Sequence, residues 1–351
     1  MVTLKGLDPK RILVVLHGSI GDVTRALPLA NIMRRGFPMA TIAWAVEPPS
    51  RPLVEHHPAV DEVILFDRPR GWFQIFPFLR KVRLGRFDLV LDLQRHLKSG
   101  IVSRWTGAPD RLGFHRQDCK ELNWIFNNHH IPAAGNAISK LRHYLAFAEY
   151  LGLAPEPVEW NLSLTPEEQL AVDCFLEQIL GGFATLFVGS RWPSKGWFSE
   201  QMSSCAKLLE QRYGLRVVLL GSQQDAALAK EVENACRPNL VNWVGRTSLK
   251  EAVGIIAKAK VAVGPDTGLM HLAAAVGTPV VSLWGATSPH RTGPYGFEDL
   301  VIEGRAPCSP CYRRHCPIGR LCMQSIGIDE IMAKIEAGLS RKRDSAPVYG
   351  T

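Results

Sequence analysis

Short apolar runs alternating with helix-length segments constrain this chain more than any other feature. In the first half, Ile12–Leu16, Thr41–Val46, Val63–Phe66 and Leu89–Leu91 read as strands. In the second half, Thr185–Val188, Arg216–Leu220, Val261–Gly264 and Val280–Leu283 do the same. They are rich in β-branched residues and leucine and lack strict polar–apolar alternation, the pattern of strands covered on both faces. Each half is therefore a βαβ series, and the chain reads as an α/β protein of two doubly wound, Rossmann-like domains facing a central cleft. Gly152, Pro155 and Pro157 interrupt the pattern between them. Thr165, Pro166 and Glu168 then open a helix with a capping box, and Ser248 with Glu251 opens another. The expected domains are residues 1–158 and 159–335, with a solvated tail over 336–351.

Hydrophobic residues make up 46% of the 351, enough to give each half a core. The formal charge of +8 points to an acidic partner: nucleic acid, an anionic membrane surface or a phosphorylated substrate. No apolar run reaches the roughly 18 residues of a membrane-spanning helix. The first residues lack the longer apolar region of a signal peptide, so a cytoplasmic location is expected. No helix-turn-helix, zinc-finger or ribonucleoprotein signature accompanies the charge, which argues against nucleic acid as the partner.

In such folds ligands sit outside the carboxyl ends of the strands, so the chemistry belongs to strand-to-helix loops. The first loop is His17-Gly18-Ser19-Ile20-Gly21-Asp22. Its glycines let backbone approach a ligand, but it is neither a dinucleotide fingerprint nor a Walker loop. Asp22 at a helix entry is accounted for by capping; in a cleft the same carboxylate can take a proton from a hydroxyl. The second loop is Gly264-Pro265-Asp266-Thr267-Gly268-Leu269-Met270-His271, running into a short helix closed by Gly277. Free amides at Thr267, Gly268 and Leu269 would hold a diphosphate. Asp266, repelled by phosphate, suits sugar hydroxyls instead. His271 is either a packed residue or a phosphate contact. In a third loop, Ser190 to Trp197, Lys195 is either a surface lysine or a neutraliser of a leaving diphosphate.

Taken in order, these segments resemble glycosyltransferase family 9, the bacterial lipopolysaccharide heptosyltransferases. The similarity runs over Gly21-Asp22 with Leu27-Pro28, His57 to Asp61, Asp92-Leu93-Gln94 and Lys98-Ser99. It continues through Val263 to Ala275, Trp284 to Pro289 and Arg291 to Gly296, covering roughly residues 10 to 325. The resemblance implies a GT-B fold, an ADP-heptose donor, inversion at the anomeric carbon and no catalytic cofactor. It makes Asp22 the general base and Lys195 a phosphate ligand. Donor contacts fall on Ser190, Gln223, Thr247, Asp266, Thr267, Gly268, Leu269 and His271. Acceptor contacts fall on Gly18, Ser19, Gln94 and Lys98. A nucleotide-sugar epimerase on the same architecture and a transferase using another donor are the rival enzymes.

Between Arg68 and Arg86, six basic residues and no acid are interleaved with Trp72, Phe73, Phe76 and Phe78. The plain reading is a solvated face over a few buried aromatics. The family resemblance makes it the acceptor side, with Arg68 and Arg70 against a phosphorylated, lipid-linked oligosaccharide and the anionic inner-membrane surface beneath. A peripheral site on the cytoplasmic face of that membrane follows. Finally, Cys308, Cys311, Cys316 and Cys322 place four thiols within fifteen residues, a density that can hold a structural zinc, an iron–sulfur cluster or a redox-active pair. Similar segments occur in the second-heptose type of the family.

Overall fold

The computed structural model describes residue 4 and residues 6–67, 75–135, 138–236 and 240–341. It divides into two units, Met1–Ser163 and Leu164–Thr351. Unit 1 holds strands β1 (Arg11–Val15), β2 (Thr41–Val46), β3 (Glu62–Leu65), β4 (Leu89–Asp92), β5 (Asp110–Gly113) and β6 (His129–His130). Its helices are α1 (Ile20–Gly36), α2 (Arg51–Val54), α3 (Ile75–Leu84), α4 (Leu97–Trp105) and α5 (Lys140–Tyr150). The strands pair in parallel in the order β3-β2-β1-β4-β5-β6. Ile12 to Val15 and Ile42 to Val46 are fully or almost fully buried, as strands with helices on both faces must be.

Unit 2 repeats the plan. Its strands are β7 (Phe183–Phe187), β8 (Arg216–Leu220), β9 (Leu240–Asn242), β10 (Ala262–Pro265), β11 (Val280–Trp284) and β12 (Val301–Glu303). They pair in parallel as β12-β11-β10-β7-β8-β9. The helices are α6 (Pro166–Leu176), α7 (Ser199–Tyr213), α8 (Ala226–Cys236), α9 (Leu249–Lys258), α10 (Gly268–Ala275), α11 (Pro289–Thr292), α12 (Leu321–Gln324) and α13 (Ile328–Leu339). Both expected capping boxes form. Thr165 N–H donates to Glu168 Oε2 at 2.8 Å while Glu168 N–H donates to Thr165 Oγ1 at 3.2 Å. Ser248 and Glu251 exchange bonds of 2.6 and 3.2 Å.

Packed structure continues past residue 335: Ile335 and Gly338 of α13 are buried, and Arg341 pairs with Asp299 and donates to Gly296 O at 3.0 Å. Close packing also explains a glycine of the second loop. A Cβ on Gly264 of β10 would stand 2.6 Å from Phe187 Cβ of β7, so only glycine lets these adjacent strands pack there. Among the described residues, no helix is long and apolar enough to cross a membrane.

Candidate active site

Parallel strands leave their outgoing loops on one edge, and a crevice opens where successive strands turn to opposite sides of the sheet. In unit 1 that point lies between β1 and β4, in unit 2 between β7 and β10. The loops singled out in the sequence are the ones these strands feed.

In unit 1 the loop after β1 enters α1 with Ser19, not Asp22, as the N-cap. Asp22 is the third helical residue and reaches back. Ser19 Oγ and the Ser19 N–H donate to its Oδ2 at 3.2 and 3.4 Å, the reciprocal half of a capping box. Its other oxygen carries the charge pairing. Arg25 Nη2, one turn along α1, donates to Oδ1 at 2.7 Å, and Lys140 Nζ from the first residue of α5 donates to the same atom. All three side chains are less than a quarter exposed. Burial pushes the Asp22 carboxyl up, but Lys140 and Arg25 outweigh it and hold the group well below the usual carboxylate range. Burial in turn lowers the Lys140 ammonium, with Asp22 opposing.

Sequence reasoning missed Lys140. One signal was available: a lysine in the first turn of a helix opposes the helix dipole, so something else must hold it there.

The remaining acceptor-side residues gather around the same loop. Gln94 Nε2 donates to Gly18 O at 3.4 Å, and Lys98 Nζ lies 3.5 Å from Glu47 Oε1 and 5.8 Å over the Phe66 ring. Gly18, Ser19 and Gln94 are thus brought together, with Lys98 alongside. Arg68 and Arg70 lie outside the described residues.

Two buried groups underlie the loop. His17 is packed 4.5 Å from the Phe66 ring, and burial, then Lys98, lowers its pKa to about 3. Asp92, at the end of β4, accepts from Asn123 Nδ2 at 2.7 Å and Asn127 Nδ2 at 3.3 Å. These neutral donors only partly offset burial, which raises its pKa to about 6.

In unit 2 the chain leaves β7 through Gly189, whose φ of +78° and contact with Asp225 suit no other residue. Ser190 Oγ then donates to Asp266 O at 3.0 Å. Lys195 Nζ pairs with Asp266 Oδ2 at 2.5 Å and stands 4.7 Å over the Trp192 ring. Thr287 Oγ1 donates to the same Asp266 oxygen at 2.8 Å, and His271 Nε2 lies 4.0 Å from the other.

Lys195 and Asp266, expected to serve phosphate and sugar separately, are joined in one ion pair. Next to them Thr267 is the N-cap of α10 but makes no side-chain cap, leaving the first amides of the helix without the usual partner. Gln223 and Thr247 follow β8 and β9, farther along the sheet. A Cβ on Gly245 would fall 2.1 Å from Gln223 Oε1, so the Gln223 side chain rests on that glycine. Thr287 lies within the Trp284-to-Pro289 segment of the family resemblance, but nothing in the sequence marks it as a partner of Asp266.

All eight cysteines are free thiols, with Cys308 exposed and Cys322 buried. Among the described residues no group of three or more His, Cys, Asp or Glu side chains is assembled to hold a metal ion, the four clustered cysteines included.

The chain matches the family model for glycosyltransferase family 9 (heptosyltransferase) over residues 75–321. It is 30% identical over 322 residues to lipopolysaccharide heptosyltransferase 1 of Pseudomonas aeruginosa, covering 87% of both chains. A family 9 glycosyl transferase from Veillonella parvula superposes with a TM-score of 0.81 at 20% identity, covering 95% of this chain and 98% of that one. The E. coli ADP-heptose lps heptosyltransferase II gives a TM-score of 0.74 at 24% identity, covering 94% and 98%. The two doubly wound units are those of the GT-B structures in this group. With the motif-bearing loops meeting at the switch point of each sheet, the chain belongs to glycosyltransferase family 9, the heptosyltransferases, and is a glycosyltransferase.

Proposed function

We propose that the chain transfers a heptose from ADP-heptose to a phosphorylated, lipid-linked lipopolysaccharide inner-core acceptor, with inversion, on the cytoplasmic face of the inner membrane. The observation that carries the donor half is the Lys195–Asp266 ion pair beside the uncapped start of α10. Amides at a helix start attract the diphosphate, and Lys195 is placed to leave Asp266 for it as negative charge builds on the departing ADP. Asp266, released, accepts from sugar hydroxyls. No metal is required in this reading. ADP-heptose is chosen because the E. coli relative is described by that donor.

On unit 1, Asp22 takes the proton of the acceptor hydroxyl. The freed oxygen attacks the anomeric carbon, the bond from that carbon to the diphosphate oxygen breaks, and its electron pair leaves with ADP. A carboxylate gripped by two cations is a weak base, because basicity falls with pKa. Anionic groups of the acceptor relieve this by drawing Lys140 or Arg25 away from Oδ1. The acceptor thereby prepares its own base.

Titration calorimetry of the purified chain with ADP, UDP, GDP and ADP-heptose, in the presence of a chelator, tests the donor half. Selective heat for ADP and ADP-heptose is expected. Preference for UDP or GDP would keep the fold and end the heptosyltransferase reading. An ADP signal that vanishes with the chelator would end the metal-free one. Formation of an epimeric sugar nucleotide without acceptor would replace transfer by epimerisation.

A further inference from the structure

Helix α4 buries Val102 and Ser103 but leaves Leu97, Ile101 and Trp105 exposed by 39, 44 and 52%. Their spacing of four residues sets them in one stripe along the helix. Helix α3 packs beside α4: Trp105 Nε1 donates to Leu79 O at 3.2 Å, and Arg83 Nη1 donates to Thr106 O at 3.1 Å. Between them lies an open depression of about 500 Å³ lined by Arg83, Ile101, Arg104, Trp105 and Phe126. Beyond it, Ile125 and Leu84 are also exposed. Isolated apolar residues on a surface are ordinary; a contiguous set on adjacent elements marks an interaction face.

From Ile75 to Arg86 and along α4 the sequence carries six basic residues and no acid. Lys98 pairs with Glu47 and Glu121 stands at the Leu97 end, so the unopposed charge of this face is that of Arg80, Arg83, Arg86 and Arg104. Arg80, Arg86 and Arg104 form no ion pair with a carboxylate among the described residues, and Arg83 is bonded only to a carbonyl. A second copy of this chain would bring arginine against arginine. A surface carrying dense negative charge over hydrocarbon satisfies both halves at once: phosphate takes the guanidinium groups and the acyl boundary takes Ile101 and Trp105.

We propose that the α3–α4 face of unit 1 is where the protein docks on an anionic phospholipid bilayer. The face adds a membrane contact to the proposed lipid-linked acceptor, but it stands on its own residues and survives a change of donor.

Co-sedimentation of the full chain with phosphatidylglycerol-containing vesicles tests it, with pure phosphatidylcholine vesicles as the control. Binding to the anionic vesicles that weakens with salt is expected. Arg80→Gln with Arg104→Gln should each weaken it about fivefold, the worth of one cation near such a surface. Ile101→Ser should weaken binding without altering its salt dependence.

A parent-like thermal melt of each variant shows that the fold is intact, and ADP calorimetry on the parent chain separates the two readings. Lost ADP binding in the parent chain with vesicle binding kept would sink the donor assignment alone. Unchanged vesicle binding in all variants, equal binding to phosphatidylcholine, or a homodimer in light scattering that Ile101→Ser dissociates would overturn the docking face.

Discussion

The two switch points are built on one plan and wired with opposite polarity. In unit 1 a single carboxylate, Asp22, is shared by two cations, Arg25 and Lys140. In unit 2 a single cation, Lys195, is held on a carboxylate that Thr287 also engages. Topology brings the loops together in both cases, because parallel strands diverging about a central one leave a crevice at their carboxyl ends. The residues in the crevice decide what it receives. Unit 1 keeps net positive charge around the carboxylate proposed as the base, an arrangement that would suit an anionic acceptor. Unit 2 keeps its lysine neutralised by Asp266, and in the proposed reading a diphosphate would compete for it.

The sharpest way to break this contrast is to remove each centre in turn. Asp22→Asn keeps the shape and loses the base, so turnover should fall by about 10²–10⁴-fold while ADP binding is unchanged. Turnover near the parent value would end the base assignment. Lys195→Ala leaves Asp266 uncompensated and the leaving group unsupported. A loss in kcat/KM of about 10²–10³-fold is expected, with ADP binding also weakened. If ADP binding and kinetics were both normal, the Lys195–Asp266 pair would be purely structural.

How far the sequence reached follows the same physics. Of the eight strands read from it, seven lie inside the sheets, where β-branched and leucine runs announce themselves; the eighth, β3, is an edge strand that its Val63-Ile64-Leu65 run still marks. Those it missed, β5, β6, β9 and β12, are short and lie toward the edges of the sheets; His129–His130 offers no periodicity at all. Thr165 and Ser248 were legible because a capping box is local in sequence. Lys140 was not, because it meets Asp22 across 118 residues and only the packing of α1 on α5 brings it there. The Lys195–Asp266 pair was missed for the same reason: each residue was noted, yet nothing local says that β7 and β10 are neighbours. Arg68 and Arg70, the boldest of the acceptor-side expectations, lie outside the described residues.

Lys140 offers a finer test of the contrast, because it should act through Asp22 rather than on the substrate. Lys140→Met removes one of the two charges that depress the Asp22 pKa, so that pKa must rise. If turnover needs Asp22 ionised, the acid limb of the pH profile should move to higher pH. Lys140→Arg should restore most of the parent profile. A profile that stays put while kcat drops would mean that Lys140 only supports the fold.

The smallest effect concerns stability, and again separates the units, since it is in unit 1 that a histidine and a carboxylate are buried behind the loop. His17 is depressed from 6.5 to about 3 by burial and then Lys98, so the unfolded chain binds its proton first. The folded state therefore loses stability as pH falls from about 6.5 toward 3. Asp92 is raised from 3.8 to about 6, so the folded state holds its proton longer and loses stability as pH rises through that window. Between about pH 4 and 6 the two oppose each other. His17→Phe keeps the aromatic packing against Phe66 and deletes one side of the balance. Thermal melts of the parent should vary little over that window, whereas the variant should melt progressively lower as pH rises from 4 to 6. A variant whose melting tracks the parent would show that His17 is not the group opposing Asp92, and that unit 1 carries no such pair.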